Sequence, residues 1–197
     1  DLDPDGTPIP QVGARKILGF GVSPTSIGIS NNFRYKNFNM SVLVEGKYGG
    51  QMYSGTNAMS KYFGAHKATI DADGRENGFT VSGVDASGAA FTTTIAPDRI
   101  EDYWRRTYEI AEESVYDADY LRLRQMSIGY TIPRAMLENT FIKNASISLI
   151  GRNLFFLSNS VENIDPESGY NVSNSQGLEW FGMPIPRTIG MNVNLKF

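Results

Sequence analysis

The sequence predicts an all-β chain, a segment of a transmembrane antiparallel β-barrel with long extracellular loops, one of which contains a short helix. Three observations lead to this fold class. Apolar and polar residues alternate with a period of two in several segments, which is the pattern of strands with two different faces. Short and long connectors alternate between these segments. No stretch approaches the roughly 18 consecutive apolar residues that a membrane-spanning helix requires.

The composition agrees with a β-rich chain and excludes several functions. Among 197 residues there are 20 Gly, 10 Tyr and 11 Phe, a balance that favours strands and turns. The net charge of −3 provides no general positive field to hold a nucleic-acid backbone, so no nucleic-acid partner is expected. Because cysteine is absent, the chain has no disulfide framework, thiolate metal site or cysteine nucleophile.

The most regular strand pattern lies at the end of the sequence. An unbroken alternation of apolar residues with Gly, Asn and Lys runs through Ile189, Met191, Val193, Leu195 and Phe197. Soluble domains usually fray at their ends, whereas this pattern continues to an aromatic residue at the last position. The segment therefore predicts a strand with one apolar and one polar face.

Two earlier segments predict a β-hairpin. An alternating pattern runs through Ile27, Ile29, Phe33 and Tyr35, and it resumes through Phe38, Met40, Val42 and Val44. The two-residue connection Lys36-Asn37 ends in Asn, which suits a type I′ turn with positive φ.

Two more strands are predicted between residues 120 and 150. The first has one apolar face formed by Met126, Ile128, Tyr130 and Ile132, and Pro133 ends it. Leu121 and Leu123 fall on the opposite face, and we interpret this inversion as the strand passing from one environment to another. The second strand contains Ala145, Ile147 and Leu149 and becomes less regular beyond Gly151-Arg152-Asn153.

The connectors between these strands differ sharply in length. Lys36-Asn37 has two residues and residues 133–144 number twelve, whereas the loops at about 49–115 and 158–185 are far longer. An outer-membrane barrel accounts for this alternation, because its periplasmic turns are short and its extracellular loops are long. Within the first long loop, residues 97–113 predict a short helix, and residues 71–94 predict a β-hairpin or an irregular insertion.

Three motifs in the second half of the chain occur in a characteristic order. They are the run from Val115 to Pro133, then Gly151-Arg-Asn-Leu-Phe155, then Pro186-Arg-Thr188 leading to Phe197. Phe33-Arg-Tyr-Lys-Asn-Phe38 and Gly49-Gly50 precede them. This combination resembles the closing segments of SusC/RagA-type TonB-linked outer-membrane proteins of the Bacteroidetes.

The resemblance implies a fold, a function and partners. Such proteins are 22-stranded barrels with an N-terminal plug and a SusD-type lipoprotein lid, so residues 1–197 are expected to form about the last five strands, without the plug domain or the TonB box. The implied function is active import of a nutrient, an oligosaccharide or a peptide, with no reaction catalysed. The implied partners are a SusD-like surface lipoprotein, TonB through the missing N-terminal part, the upstream barrel and plug segments, and outer-membrane lipid.

Aromatic residues of the long loops are the candidate contacts for a substrate or a lid protein. They are Tyr103, Trp104, Tyr108, Trp180 and Phe181. Such rings could stack on sugars or pack against a lid, or they could fill small cores of the loops themselves.

A second set of residues is assigned to the membrane. Tyr35, Phe38 and Tyr130, together with Phe197, lie at the strand ends assigned to the periplasmic side and are predicted to be membrane-interface aromatics. The apolar residues of the last strand are expected to form the signal read during membrane insertion: Met191, Val193, Leu195 and Phe197.

The beginning of the sequence has one candidate metal site. Asp1, Asp3 and Asp5, followed by Gly6, have the spacing that begins a calcium loop, although Val12 stands where the bidentate Glu is expected. The alternatives are a weak calcium site and an ordinary acidic surface loop. No other cofactor is expected.

An enzyme is not expected from these residues. The only histidine, His66, is interpreted as a surface residue without an identifiable catalytic partner, and the pairs Glu112-Glu113 and Asp117/Asp119 as solvated loop ends. The alternative function is a secreted or surface-anchored β-sandwich that binds glycans. A sandwich would bury its apolar strand faces against a second sheet, whereas a barrel would turn them towards lipid.

Overall fold

A computed structural model describes residues 1–10, 13, 15–70, 74–173 and 175–197. In chain order, its strands and helices are β1 Thr25–Tyr35, β2 Phe38–Tyr48, β3 Gln51–Ser54, α1 Gly55–Tyr62, α2 Gly74–Asn77, β4 Phe79–Val84, β5 Ala90–Ile95, α3 Ile100–Tyr108, β6 Val115–Asp117, β7 Tyr120–Thr131, β8 Asn144–Asn159, β9 Leu178–Glu179 and β10 Thr188–Lys196. Short 3₁₀ helices lie at Lys67–Thr69, Pro97–Arg99, Ala111–Ser114 and Arg134–Met136. Among these residues, no helix has the length and apolar character needed to cross a membrane.

The described residues divide into two compact units, each built from three separate stretches of chain. Unit 1 contains Asp1–Val22, Gln51–Tyr116 and Gly169–Gly182. Unit 2 contains Ser23–Gly50, Asp117–Ser168 and Met183–Phe197. Unit 2 therefore holds the five long strands, and unit 1 holds most of the residues that the sequence assigned to long loops.

Unit 2 contains an open antiparallel sheet of five strands in the order β1-β2-β7-β8-β10. β1 and β2 form the predicted hairpin, in which Ile29 lies opposite Val44. The detail of its turn was predicted wrongly, because the left-handed conformation is taken by Lys36, with φ of 51°, and not by Asn37. β1 and β10 are the two edges of the sheet and have no outer neighbour among the described residues.

One face of this sheet carries the predicted apolar row and remains open. The register places Met40 opposite Ile128, and Leu149 opposite both Ile128 and Met191, so the apolar side chains continue from strand to strand. The exposed members of the row are Ile27, Ile29, Phe33, Ile128, Ile147, Leu149, Met191, Val193 and Leu195. A barrel segment is expected to leave such a row open, whereas a sandwich would bury it.

The inverted pattern at the start of β7 has a local cause. Leu43 pairs with Gln125 and the next residue, Val44, pairs with Leu123, so Arg124 is an extra residue in β7. On the other side, the register with β8 also shifts between Leu123 and Gln125. The inversion at Leu121 and Leu123 is therefore a β-bulge that returns both leucines to the apolar face, and not the predicted change of environment.

Unit 1 contains far more regular structure than the loops that the sequence predicted. Its strands form a three-stranded sheet in the order β6-β3-β9 and the separate hairpin β4–β5. The hairpin agrees with the insertion predicted near residues 71–94, of which 71–73 lie outside the described residues. The predicted helix is α3, which follows Pro97–Arg99 and buries Ile100 and Thr107.

α1 begins at a capping residue that the sequence analysis did not identify. Ser54 is extended, and its side chain accepts a hydrogen bond from the backbone N–H of Asn57 at 3.0 Å. Met52, Ala58, Ile95 and Ile100 are the buried apolar side chains around these elements. Unit 1 thus has a small core of its own.

Candidate functional site

The three aromatic candidates of α3 contribute to packing within unit 1. The Phe79 ring contacts Tyr103 at 4.9 Å and Trp104 at 6.1 Å between centroids, and Tyr108 contacts Tyr62 at 5.3 Å. Burial, and secondarily the negative charge of Glu113, raise the pKa of Tyr103 above its ordinary value. These contacts favour the alternative in which the rings fill a loop core.

The other two aromatic candidates are presented to solvent. Trp180 is 44% exposed and Phe181 is 60% exposed, and their rings meet edge to face at 5.9 Å. Phe181 has φ of 52°, a conformation that is uncommon for a bulky residue and is often held in place at functional sites. Trp180 packs so closely over Gly55 that a Cβ at that position would collide with its ring.

A buried carboxylate holds this aromatic pair in position. Glu179 is 0% exposed and accepts hydrogen bonds from Ser54 Oγ at 2.8 Å, Thr56 Oγ1 at 2.5 Å and the backbone N–H of Gly182 at 2.9 Å. Thr56 Oγ1 in turn accepts from the backbone N–H of Phe181 at 2.8 Å. Glu179 was not predicted from the sequence, where its signal is limited to the adjacent Trp180-Phe181 pair.

The described residues of unit 1 also line cavities near these elements. One of about 290 Å³ is lined by residues of α1 and α3, including Tyr62, Trp104 and Arg105. Its cations already have partners, since Arg105 pairs with Glu101 and Arg75 donates to the Thr69 carbonyl. A larger cavity of about 1070 Å³ is lined by parts of residues 1–18, 81–84 and 103–113.

The three aspartates proposed for calcium lie in a tight turn. Asp3 Oδ1 accepts hydrogen bonds from the backbone N–H groups of Asp5 at 3.0 Å and Thr7 at 2.8 Å, and Asp5 lies 3.8 Å from Arg99. Within the described part of the chain, no three acidic or histidine side chains are grouped closely enough to share an ion. The calcium site at Asp1, Asp3 and Asp5 stays a prediction.

His66 is not the surface residue that the sequence indicated. It is 3% exposed, and its Nδ1 accepts a hydrogen bond from the backbone N–H of Ala68 at 3.1 Å. The imidazole therefore caps the short 3₁₀ helix Lys67–Thr69. Glu112 is exposed and pairs with Lys16 at 3.3 Å, which agrees with a solvated loop end.

The predicted interface aromatics lie at one end of the five-stranded sheet. Tyr35 and Phe38 flank the β1–β2 turn, and Phe38 contacts Tyr130 at 4.7 Å between centroids. Phe197, directly after β10, stacks on Phe141 at 5.6 Å. The sequence analysis missed Phe141, which lies in the short connector before β8 where no strand periodicity marks it. Their location in the membrane interface stays a prediction.

The terminal aromatic leads to a first testable prediction. Deleting Phe197 from the full-length protein should strongly lower its level in the outer membrane, because the apolar face of β10 would lose its last ring and the stack on Phe141. Quantitative blotting of outer-membrane fractions and heat-modifiable migration would measure this, with Phe197→Tyr as the control that keeps an aromatic ring. Normal abundance and migration of the deletion variant would contradict the proposed assembly signal.

Comparison with known proteins confirms the resemblance to TonB-dependent receptors. No family model matches the chain. In sequence it is similar to TonB-dependent receptor P3 of Formosa agariphila, with 29% identity over 99% of this chain and 18% of that protein. It is also similar to TonB-dependent receptor P26 of the same organism, with 26% identity over 99% of this chain and 19% of that protein.

Solved structures share the fold of this chain. The RagAB peptide importer in its closed-closed state matches all of this chain with a TM-score of 0.63 and 17% identity, over 20% of the solved chain. The RagAB peptide transporter matches 90% of this chain with a TM-score of 0.58 and 15% identity, over 17% of the solved chain. The chain thus spans about a fifth of the length of the proteins that it matches.

Proposed function

We propose that this chain forms part of the wall and the extracellular loops of an outer-membrane TonB-dependent transporter that imports a nutrient. The observation that carries the proposal is the five-stranded antiparallel sheet with its apolar row left exposed. Lipid would cover that row, and upstream strands of the barrel would pair with the open edges of β1 and β10, since an unpaired edge cannot be satisfied in lipid. These strands would be about the last five of a 22-stranded barrel.

The opposite face of the sheet has the chemistry of a barrel lumen. Ser41 and Ser127 lie on it, with their hydroxyl oxygens 2.7 Å apart, and Arg124 there contacts Glu45 at 2.6 Å. Such groups would be costly against hydrocarbon and are suited to a water-filled interior. We expect this chain to catalyse no reaction on the substrate. Coupling to TonB would belong to the plug and the N-terminal segments, which lie outside this chain.

The imported nutrient would be a peptide or an oligosaccharide, and the partner a SusD-like surface lipoprotein that closes over the barrel. The name of the RagAB importer supports a peptide, and the low identity keeps an oligosaccharide as the alternative. Trp180 and Phe181 would contact the nutrient or the lipoprotein, because large rigid rings bury much surface area at a low cost in side-chain entropy.

Uptake by a strain lacking the whole transporter would test the proposed function. The strain should lose growth on either a defined peptide mixture or a defined oligosaccharide mixture as sole nutrient, and the full-length gene should restore it. Loss on one mixture alone would identify the substrate class. Unchanged growth on both, or a full-length protein that stays monodisperse without detergent, would instead favour the glycan-binding sandwich.

The exposed aromatic pair leads to a second prediction. Trp180→Ala combined with Phe181→Asn should lower the uptake rate or capture of the lid lipoprotein at an unchanged level of folded barrel, and Asn tolerates the positive φ at position 181. Phe63→Ala is the matched control, because Phe63 is also an exposed aromatic of unit 1. If uptake and lid capture both equalled those of the control, the pair would have no role in transport.

A further inference from the structure

The motifs that carry the family resemblance meet in one cluster on the polar face of unit 2. Arg122 and Arg124 come from the first motif, Asn153 from the second and Pro186 from the third, although up to 64 residues separate them in the sequence. The carboxylates of Asp165 and Glu167 bind the two arginines. Asn153 contacts Arg124 and Pro186. The function proposed above uses only the Arg124–Glu45 contact of this cluster, so the role of the remaining contacts needs a separate explanation.

Arg122 and Arg124 hold the first of two segments, residues 161–168. Arg122 Nη2 lies 2.6 Å from Asp165 Oδ2, and its Nη1 lies 2.8 Å from Glu167 Oε2. Arg124 Nη2 contacts both oxygens of Glu167, at 2.7 and 2.9 Å, while its Nε contacts Glu45 at 2.6 Å. Planar guanidinium groups suit such paired contacts with carboxylates.

The same groups hold a second segment, residues 183–187, which leads into β10. Asp165 Oδ2 also accepts a hydrogen bond from the backbone N–H of Ile185 at 3.2 Å. Asn153 Nδ2 donates to the carbonyl of Pro186 at 3.3 Å, while Asn153 Oδ1 accepts from Arg124 Nη1 at 3.0 Å. Asn153 has φ of 51°, and Asn is among the residues that best tolerate this conformation.

The central ion pair of the cluster is buried. Its contacts therefore strongly constrain the positions of the two segments. The side chains of Arg122 and Asp165 are 3% and 5% exposed, and Arg122 also lies 3.9 Å from the centroid of the Phe156 ring. Removing one partner of a buried pair leaves an uncompensated charge, which is far more costly than removing both. Contacts of this kind indicate segments that remain in place rather than segments that open readily.

We propose that Arg122 and Arg124 are positioning residues of the transporter, forming with Asp165, Glu167 and Asn153 a latch that holds residues 161–168 and 183–187 on the polar face of the sheet as fixed parts of the wall. The inference rests on the proposed function. Along the chain, the two latched segments directly precede and follow Gly169–Gly182, the stretch that carries Trp180 and Phe181. The latch fixes both ends of that stretch.

The test uses the full-length transporter with its own partners and compares Arg122→Met, Asp165→Asn and the double variant. Arg152→Met is the matched control, because Arg152 is an exposed arginine next to the cluster. Trypsin cleavage after Arg187 in outer-membrane vesicles reports release of the second segment. The apparent KM for uptake and the maximal rate per folded barrel separate positioning from loss of protein.

Each single variant should raise the cleavage rate about tenfold, equivalent to about 1.4 kcal/mol of easier opening, and raise the KM more than it lowers the maximal rate. The double variant should be no worse than Arg122→Met, because it also removes the Asp165 charge that Arg122→Met leaves without its arginine. If Arg122→Met fails to assemble, the variants Arg124→Gln and Glu167→Gln, at less buried positions, replace it.

Folded variants that show the wild-type cleavage rate and the wild-type KM would overturn the latch. If the wild-type protein imports neither nutrient class, the proposed function fails while the cleavage assay still decides on the latch.

Discussion

Replacing Val42 with arginine should destabilise the assembled barrel by about 2–4 kcal/mol, whereas Ser41→Arg should cost much less. Val42 is a half-buried member of the apolar row near the middle of β2, opposite Met126, so the introduced guanidinium would point into hydrocarbon. Ser41 lies on the other face, where its hydroxyl lies 2.7 Å from that of Ser127. Losing this one neutral contact costs only about 1 kcal/mol.

Denaturant unfolding of the full barrel in lipid vesicles would measure both changes. The adjacent positions share a strand and a depth in the membrane, so the comparison isolates the face of the sheet. Ile29→Arg on β1 should repeat the cost of Val42→Arg, because Ile29 belongs to the same row. Equal costs at positions 41 and 42 would contradict the assignment of the apolar face to lipid.

Glu179→Ala should reduce the local stability of unit 1 by roughly 3–5 kcal/mol, because hydrogen bonds to a charged group contribute about 1.5–3 kcal/mol each and bonds that share one acceptor are less than additive. The substitution leaves Ser54, Thr56 and the N–H of Gly182 without their shared acceptor. Hydrogen exchange of residues 51–62 and 178–182 in the folded transporter should accelerate accordingly. Glu179→Gln should cost less, since the amide keeps one acceptor oxygen.

Glu112→Ala is the matched control for this experiment. Glu112 is an exposed glutamate of the same unit, and ion pairs at such positions contribute little. Its replacement should leave the exchange rates of both segments unchanged. Unchanged exchange in Glu179→Ala as well would mean that the Trp180-Phe181 pair is held in place by other contacts.

The strands and their faces were predictable because a period of two directly reports which side of a sheet each residue occupies. The alternation from Ile189 to Phe197 and that from Ile27 to Val44 correspond to β10, β1 and β2. The pattern could not distinguish a bulge from a change of environment, since one extra residue such as Arg124 shifts the alternation in the same way.

The long loops were predictable in position but not in structure. Elements such as α1, β3 and β9 have only eight, four and two residues, too few for a periodic signal. Their stability comes from contacts between distant stretches, such as Glu179 with Ser54 and Thr56. A buried carboxylate or histidine has no local pattern, so Glu179 and His66 could not be assigned from neighbouring residues.

The sequence by itself determined the β class, the apolar row on one face of the sheet, the helix near Trp104 and the resemblance to TonB-linked outer-membrane proteins, because each depends on local periodicity or on short motifs. Only the tertiary structure decided which aromatic side chains are presented to solvent and which are packed inside. It also decided that Arg122, Arg124 and Asn153 meet Asp165 and Glu167 in one buried cluster. Such pairings depend on strand register and chain return over more than forty residues, which a linear pattern does not encode.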